Sequence, residues 1–276
     1  MFTTLISAPE LATHYDPTNW RIVECSFDLN DPQAGRKLYA AGHIPGAQYA
    51  HLDEDLSGNI IPGQTGRHPL PSVAAMVDLF ERLGISNDSQ VVVYCNKHGA
   101  IAARLWWMLR YLGHKTVAVL DGGRNAWIGA AYAWTKDVPT FSRGNFTPRV
   151  QTDWLVDADE VDRIRQQPDY ALVDSRTPER YRGDQEPIDP VAGHIPGAIN
   201  MPFPENWDPT GHLRSPAELQ ERFAALPPPE RSVFYCGSGV TACHNLLAYA
   251  HAGLGNARLY AGSWSEWITD SRRAVG

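Results

Sequence analysis

The sequence predicts an α/β protein made of two domains of one kind, each a mostly parallel sheet with helices on both faces. The first observation is an internal repeat. Ala41-Gly42-His43-Ile44-Pro45-Gly46-Ala47 recurs letter for letter at 192–198, an offset of 151 residues. Tyr94-Cys95 recurs as Tyr235-Cys236 at an offset of 141, and the stretch 121–127 answers 261–267, with tryptophans 140 apart. Ordered matches at nearly constant offsets mark two copies of one unit. The second observation is that strand-like runs alternate with helical patterns inside each copy, as parallel βα arrangements require. The third is the stretch Val233-Phe234-Tyr235-Cys236-Gly237-Ser238-Gly239-Val240-Thr241. It reads as a buried strand, a tight loop and the start of a helix.

In the first copy the expected order is a helix at 8–14, a strand at 21–25, the Gly-His-Ile-Pro-Gly turn and a strand at 48–52. A helix at 72–83, the strand leading to Cys95, a helix at 100–112, a strand at 117–120 and a last helix follow. The second copy repeats the plan: helix 157–167, strand 170–174, the turn, strand 199–201, helix 216–226, the strand leading to Cys236, helix 241–252, strand 257–260 and a last helix. Pro139, Gly144 and Pro148 punctuate a stretch of mixed polarity, which reads as a linker. The expected boundaries are domain 1–135, linker 136–153 and domain 154–276. Ligands of such sheets bind beyond the carboxyl ends of the strands, and Cys236 stands at such an end.

The copies differ in one place. From Ala41 to Cys95 is 54 residues, but from Ala192 to Cys236 only 44. The surplus falls in a Gly/Pro/Asn-rich loop near 51–71, and long loops are where function tends to be carried.

Composition narrows the function classes. The 276 residues carry a formal net charge of -7. An acidic chain without a lysine run makes a poor nucleic-acid binder. No apolar stretch approaches the roughly 20 residues that cross a bilayer, and Met1-Phe2-Thr3-Thr4-Leu5 lacks the regions of a signal peptide. Cys25, Cys95, Cys236 and Cys243 form neither a disulfide framework nor paired zinc spacing. The expectation is a cytoplasmic protein with no membrane and no nucleic-acid partner, whose reducing surroundings keep a thiol available.

At the end of its strand Cys236 meets successive backbone N–H groups and a helix N-terminus. Both favour negative charge, lower a thiol's pKa and make the thiolate a nucleophile. Gly237 and Gly239 let the backbone curl with its amides inward. The alternative is a structural cysteine closing a strand. A phosphate cradle of this shape needs arginine six positions after the cysteine to grip a dianion, and Ala242 stands there. The loop therefore suits a smaller charge, such as one sulfur anion.

On these residues the sequence resembles the rhodanese, or sulfurtransferase, family in its tandem-domain form. The run Cys236-Gly237-Ser238-Gly239-Val240-Thr241 is most similar to the loop of the 3-mercaptopyruvate sulfurtransferase branch, and the resemblance covers nearly the whole chain. It implies two rhodanese-like domains, the first non-catalytic. Cys236 would carry sulfur as a persulfide, held by Gly237, Gly239, Val240 and Thr241. Ser238 would donate to the thiolate or relay a proton, and Asp53 and His68 match the pair that assists it in that branch. Arg180 matches the arginine that binds the donor's carboxylate or sulfonate, and Arg176 one that tends to be structural. The branch often has a second arginine shortly before the turn, whereas 186–191 has none, so an arginine at 189 is expected to lower KM. The implied partners are a small-molecule sulfur donor and a thiol or thioredoxin-like acceptor, or cyanide, with no cofactor and no metal. Thiosulfate:cyanide transfer and a non-catalytic sulfur-carrier or binding module stay as alternatives.

The remaining motifs read as structure. His43 and His194 recur in both copies and should hold their turns. Trp106, Trp107, Trp127, Trp264 and Trp267 belong to the core, with Cys25 and Cys243 buried. Cys95 should not carry sulfur, because Asn96-Lys97-His98-Gly99-Ala100 lacks the Gly-x-Gly pattern, although Lys97 and His98 would lower its pKa.

Overall fold

Unbroken apolar runs make the central strands, as sheets covered on both faces demand. In the computed structural model, which describes every residue except Lys97, the chain forms two compact units: Met1–Gly58 with Pro71–Val150, and Asn59–Leu70 with Gln151–Gly276. The stretch read as a linker divides at Val150, and residues 59–70 of the surplus loop belong with the second unit.

The first unit runs β1 (Leu5–Ile6), α1 (Ala8–His14), β2 (Trp20–Glu24), α2 (Ala34–Ala41), β3 (Ala47–Tyr49), α3 (Val73–Arg82), β4 (Gln90–Tyr94), α4 (Ala102–Tyr111), β5 (Val117–Leu120) and α5 (Gly123–Gly129). Its strands lie in the order β1-β5-β4-β2-β3, with every pairing parallel. The second unit runs β6 (Leu155–Val156), α6 (Ala158–Ile164), β7 (Ala171–Asp174), α7 (Pro178–Arg182), β8 (Ile199–Asn200), α8 (Pro216–Phe223), β9 (Ser232–Tyr235), α9 (Ala242–His251), β10 (Arg258–Tyr260) and α10 (Ser263–Trp267). Its order, β6-β10-β9-β7-β8, repeats the first, again all parallel. In each unit the strand that delivers the cysteine is the middle one and is buried along its length.

Local chemistry sets the helix starts. Ser7, Ser72, Asp157 and Ser215 cap α1, α3, α6 and α8, each accepting from the N–H three residues on. Glu10 and Glu218 close two of these into reciprocal capping boxes. Sequence reading missed α2, whose N-cap Gln33 makes no side-chain cap bond. It also missed the five-residue α7 and the two-residue edge strands β1 and β6, which are too short to show a period.

The repeated motifs serve the fold in matching ways. The Tyr94 hydroxyl donates to Glu24 at 2.7 Å and accepts from the Ile44 N–H, so the turn is tied to the central strand. Tyr235 accepts from the Ile195 N–H in the same way. His43 stacks on Tyr39 and bonds the Tyr39 and Asp137 carbonyls, and His194 stacks on Tyr181 and bonds its carbonyl. The histidines thus anchor each turn to the helix before it rather than bonding within the turn. Trp127 packs with Val92, Tyr94 and Leu120 in one core, Trp264 and Trp267 with Val233, Tyr235 and Tyr260 in the other. Trp106 and Trp107 are buried, as are Cys25 and Cys243. Among the described residues no helix is long and apolar enough to cross a membrane.

Candidate active site

Cys236 follows β9 directly and is 2 % exposed. The first turn of α10 holds its backbone. Cys236 N–H donates to Ser263 Oγ at 3.1 Å, while Trp264 and Ser265 N–H groups donate to the carbonyls of Cys236 and Gly237 at 3.0 and 2.9 Å. With both carbonyls turned away, the following amides are left for the sulfur. Ser263 takes φ +57, a left-handed conformation that costs a non-glycine residue energy. The corresponding position in the first unit is Gly123, at φ +55. Gly239 has φ +76, and a Cβ there would stand 2.2 Å from the Ala261 carbonyl oxygen, so both conformation and space require glycine. Gly237 lies outside the left-handed set and is glycine for another reason, given below.

The Sγ of Cys236 accepts the Gly239 N–H at 3.2 Å. Burial pushes the thiol pKa up, but hydrogen bonds from the Thr241 hydroxyl and the Ser238, Ala242 and Gly239 amides outweigh it, so the net shift is downward. The thiolate therefore persists to lower pH than an ordinary cysteine's, and activity that needs it is lost as pH falls through the lowered pKa. Thr241→Val removes one donor to the charged form, a bond that contributes roughly 1.5–3 kcal/mol. We expect the acid limb of kcat/KM to move to higher pH, with activity at neutral pH about tenfold lower. An unmoved limb would show that Thr241 is not such a donor.

Residues 59–70 bring side chains to this loop. Gly66 sits where a Cβ would meet the Gly262 carbonyl oxygen and Ser265 Oγ, each at 2.6 Å, and the Arg67 N–H donates to Ser265 Oγ at 3.0 Å. That close approach delivers His68, whose Nδ1 lies 2.7 Å from Ser238 Oγ; both residues are buried. Arg67 pairs with Asp189. Arg180 pairs with Glu186 at 2.7 Å and with the other oxygen of Asp189 at 3.0 Å. Below them Arg176 bonds Asp174 at 2.6 Å, Glu186 at 3.3 Å and the Gly193 carbonyl at 2.7 Å. A Cβ on Gly237 would stand 2.9 Å from Arg67 Nη2 and 3.4 Å from two nitrogens of Arg180. Gly237 thus makes room for two guanidinium groups.

A thiol in an amide-lined loop at the carboxyl end of a central strand, in a doubled parallel α/β unit, invites comparison with known proteins. The profile of the rhodanese-like domain matches this chain twice, over residues 7–130 and 157–270. The chain belongs to the rhodanese family. A probable 3-mercaptopyruvate sulfurtransferase of Pseudomonas aeruginosa is 46% identical over 275 residues, covering 98% of this chain and 97% of that one. The thiosulfate sulfurtransferase of Bos taurus is 34% identical over 255 residues, 90% of this chain and 84% of that one. Among solved structures, the 3-mercaptopyruvate sulfurtransferase from Leishmania major superposes with a TM-score of 0.83 at 32% identity, covering 98% of this chain and 75% of that one. The fold expected from the sequence, two rhodanese-like domains of parallel sheet and helices, is the fold found.

Within this rhodanese unit, Cys236, Gly237, Ser238, Gly239, Val240, Thr241, His68 and Arg180 all fall in one assembly. Val240 is buried, with its carbonyl accepting the Cys243 N–H at 3.1 Å. Asp53 belongs to the other unit; its side chain is exposed and its N–H donates to His51 Nδ1 at 3.2 Å. Sequence reasoning missed Arg67, Asp189 and Ser263. A single cation inside the surplus loop was the only signal for the first. The expectation that arginine at 189 would tighten the donor is reversed, because Asp189, its side chain 2 % exposed, is what pairs Arg67 with Arg180. An arginine there would set three cations together. Cys95 is buried at the end of β4 beside Cys25, whose thiol burial pushes well up; Lys97 lies outside the described residues.

Proposed function

We propose that this rhodanese moves sulfur from 3-mercaptopyruvate through a persulfide on Cys236 to a thiol, a thioredoxin-like acceptor or cyanide. The observation that carries the reading is the buried Cys236 sulfur under converging donors, with the His68–Ser238 pair beside it. In the first half-reaction the Cys236 thiolate attacks the thiol sulfur of the donor. The sulfur–carbon bond breaks, its electron pair goes to the carbon that becomes the methyl of pyruvate, and the thiol proton passes to that carbon through Ser238 and His68. The negative charge ends on the outer persulfide sulfur, where the amides of Ser238, Gly239 and Ala242 and the Thr241 hydroxyl meet it. In the second half the acceptor attacks that sulfur and the Cys236 thiolate leaves. Arg180 holds the donor's carboxylate, and Asp53 serves the proton relay as the resemblance implies. The first unit is non-catalytic, residues 136–153 serve as the linker between the domains, and the protein works in the cytoplasm.

Thiosulfate is the second reading, favoured by the guanidinium groups of Arg67 and Arg180 near Gly237. Sequence alone suggested no cation at the loop. Glu186 and Asp189 pair with both arginines, however, which leaves N–H edges that suit one carboxylate better than unbalanced positive charge for a dianion, and sulfite departure needs no proton relay. With cyanide as acceptor, kcat/KM should be higher for mercaptopyruvate than for thiosulfate. Ser238→Ala should lower the first roughly a hundredfold while leaving the second within a few-fold. A higher kcat/KM for thiosulfate in the wild type overturns the donor assignment.

A further inference from the structure

We infer that Arg67 is a second carboxylate-binding arginine of the donor site, acting with Arg180 across Gly237 and held in place by Asp189. The inference deepens the mercaptopyruvate reading and rests on it for the identity of the donor.

A guanidinium grips a carboxylate best through two parallel N–H groups on one edge. Arg67 uses Nη1 on Asp189. Its other edge, Nε with Nη2, is turned toward the loop: Nη2 stands 2.9 Å from where a Gly237 Cβ would be. Nε is buried without a hydrogen-bond partner among the described residues. A buried donor left unmade costs free energy, and natural proteins rarely leave one without reason. Arg180 commits Nε and Nη2 to Glu186 and Asp189, while its Nη1 lies 3.4 Å from the same point above Gly237. Two guanidinium groups therefore converge on one position next to the nucleophile. Asp189 already bridges them with its two oxygens, which shows that their spacing admits a carboxylate. Burial together with the nearby Arg180 charge holds Arg67's pKa down, while Cys236 pulls it up; an arginine so close to its cation partner gains from a ligand anion. The arginine missing before the turn is thus supplied from the loop that also supplies His68.

The test separates anion binding from turnover. Pyruvate, which keeps the donor's carboxylate, should protect Cys236 from iodoacetamide. Arg67→Gln should raise the half-protecting pyruvate concentration about tenfold, the scale of one charge-assisted contact. Arg67→Lys, which keeps the charge and loses the edge, should fall in between and serves if the glutamine variant does not fold. In turnover, Arg67→Gln should raise KM for mercaptopyruvate by a similar factor, with kcat within about twofold and KM for its methyl ester unchanged. Unchanged pyruvate protection in both variants overturns the inference, and so does an equal rise in KM for acid and ester, which marks a purely structural role. If protection shifts as expected but the wild type does not turn over mercaptopyruvate, the arginine site stands and the donor reading falls.

Discussion

Cys236→Ser should lower turnover by at least about a thousandfold, the scale on which loss of a nucleophile acts, while leaving the fold intact. The hydroxyl occupies the same buried position and accepts from the same amides, so unfolding should change little. It does not ionise near neutral pH and cannot hold a sulfur atom. Intact mass after donor treatment should show one added sulfur in the wild type and none in Cys236→Ser. Wild-type turnover in the variant, or two sulfurs with one lost in Cys95→Ser, would contradict a single carrier at Cys236. The expectation for Cys95 follows from its surroundings. It ends a strand like Cys236, and its carbonyl accepts the Arg124 N–H as that of Cys236 accepts the Trp264 N–H, but the sequence that follows it, Asn96-Lys97-His98-Gly99-Ala100, lacks the Gly-x-Gly pattern.

The second large effect is on stability. Asp174→Ala should cost about 3–5 kcal/mol, read as a lower urea midpoint. Asp174 and Arg176 have side chains 0% and 1% exposed, joined at 2.6 Å, with Arg176 also stacked over Trp264 at 4.9 Å. Removing the carboxylate leaves a buried cation whose remaining charged partner, Glu186, is shared with Arg180. Asp184→Ala provides the comparison, because its pair with Arg182 is exposed, 56% and 55%, and exposed pairs contribute about 0–1 kcal/mol. Equal losses in the two variants would show that burial does not govern the Asp174 pair.

Most of the fold was legible in the sequence because its signals are local or repeated. β4 and β9 announce themselves as apolar runs, the tyrosine–cysteine pairs mark their ends, and serine and aspartate caps fix several helix starts within a residue or two. The edge strands β1 and β6 were not legible, since two residues carry no period. Helix α2 was hidden by Gly35, where a Cβ would stand 1.7 Å from the Ser26 carbonyl oxygen; packing, not propensity, explains that glycine. In the site, Cys236 and its loop were readable as chemistry. Ser238, His68 and Arg180 were readable only through resemblance. Arg67 and Asp189, 122 positions apart, were not readable at all. A linear pattern says that both are charged but not that one buried carboxylate bridges two arginines.

The assignment of residues 59–70 to the second unit has a consequence for how such a protein is made and inherited. On the ribosome His68 and Arg67 emerge long before Cys236 exists. The rest of the first unit, from Met1 to Val150, is complete while this segment still waits for its partners. The half that carries Cys236 is therefore not a portable module. A gene fragment beginning after the first repeat would encode the nucleophile and its amides but neither the histidine nor the second arginine. Twelve residues encoded within the first copy thus belong to the compact unit of the second.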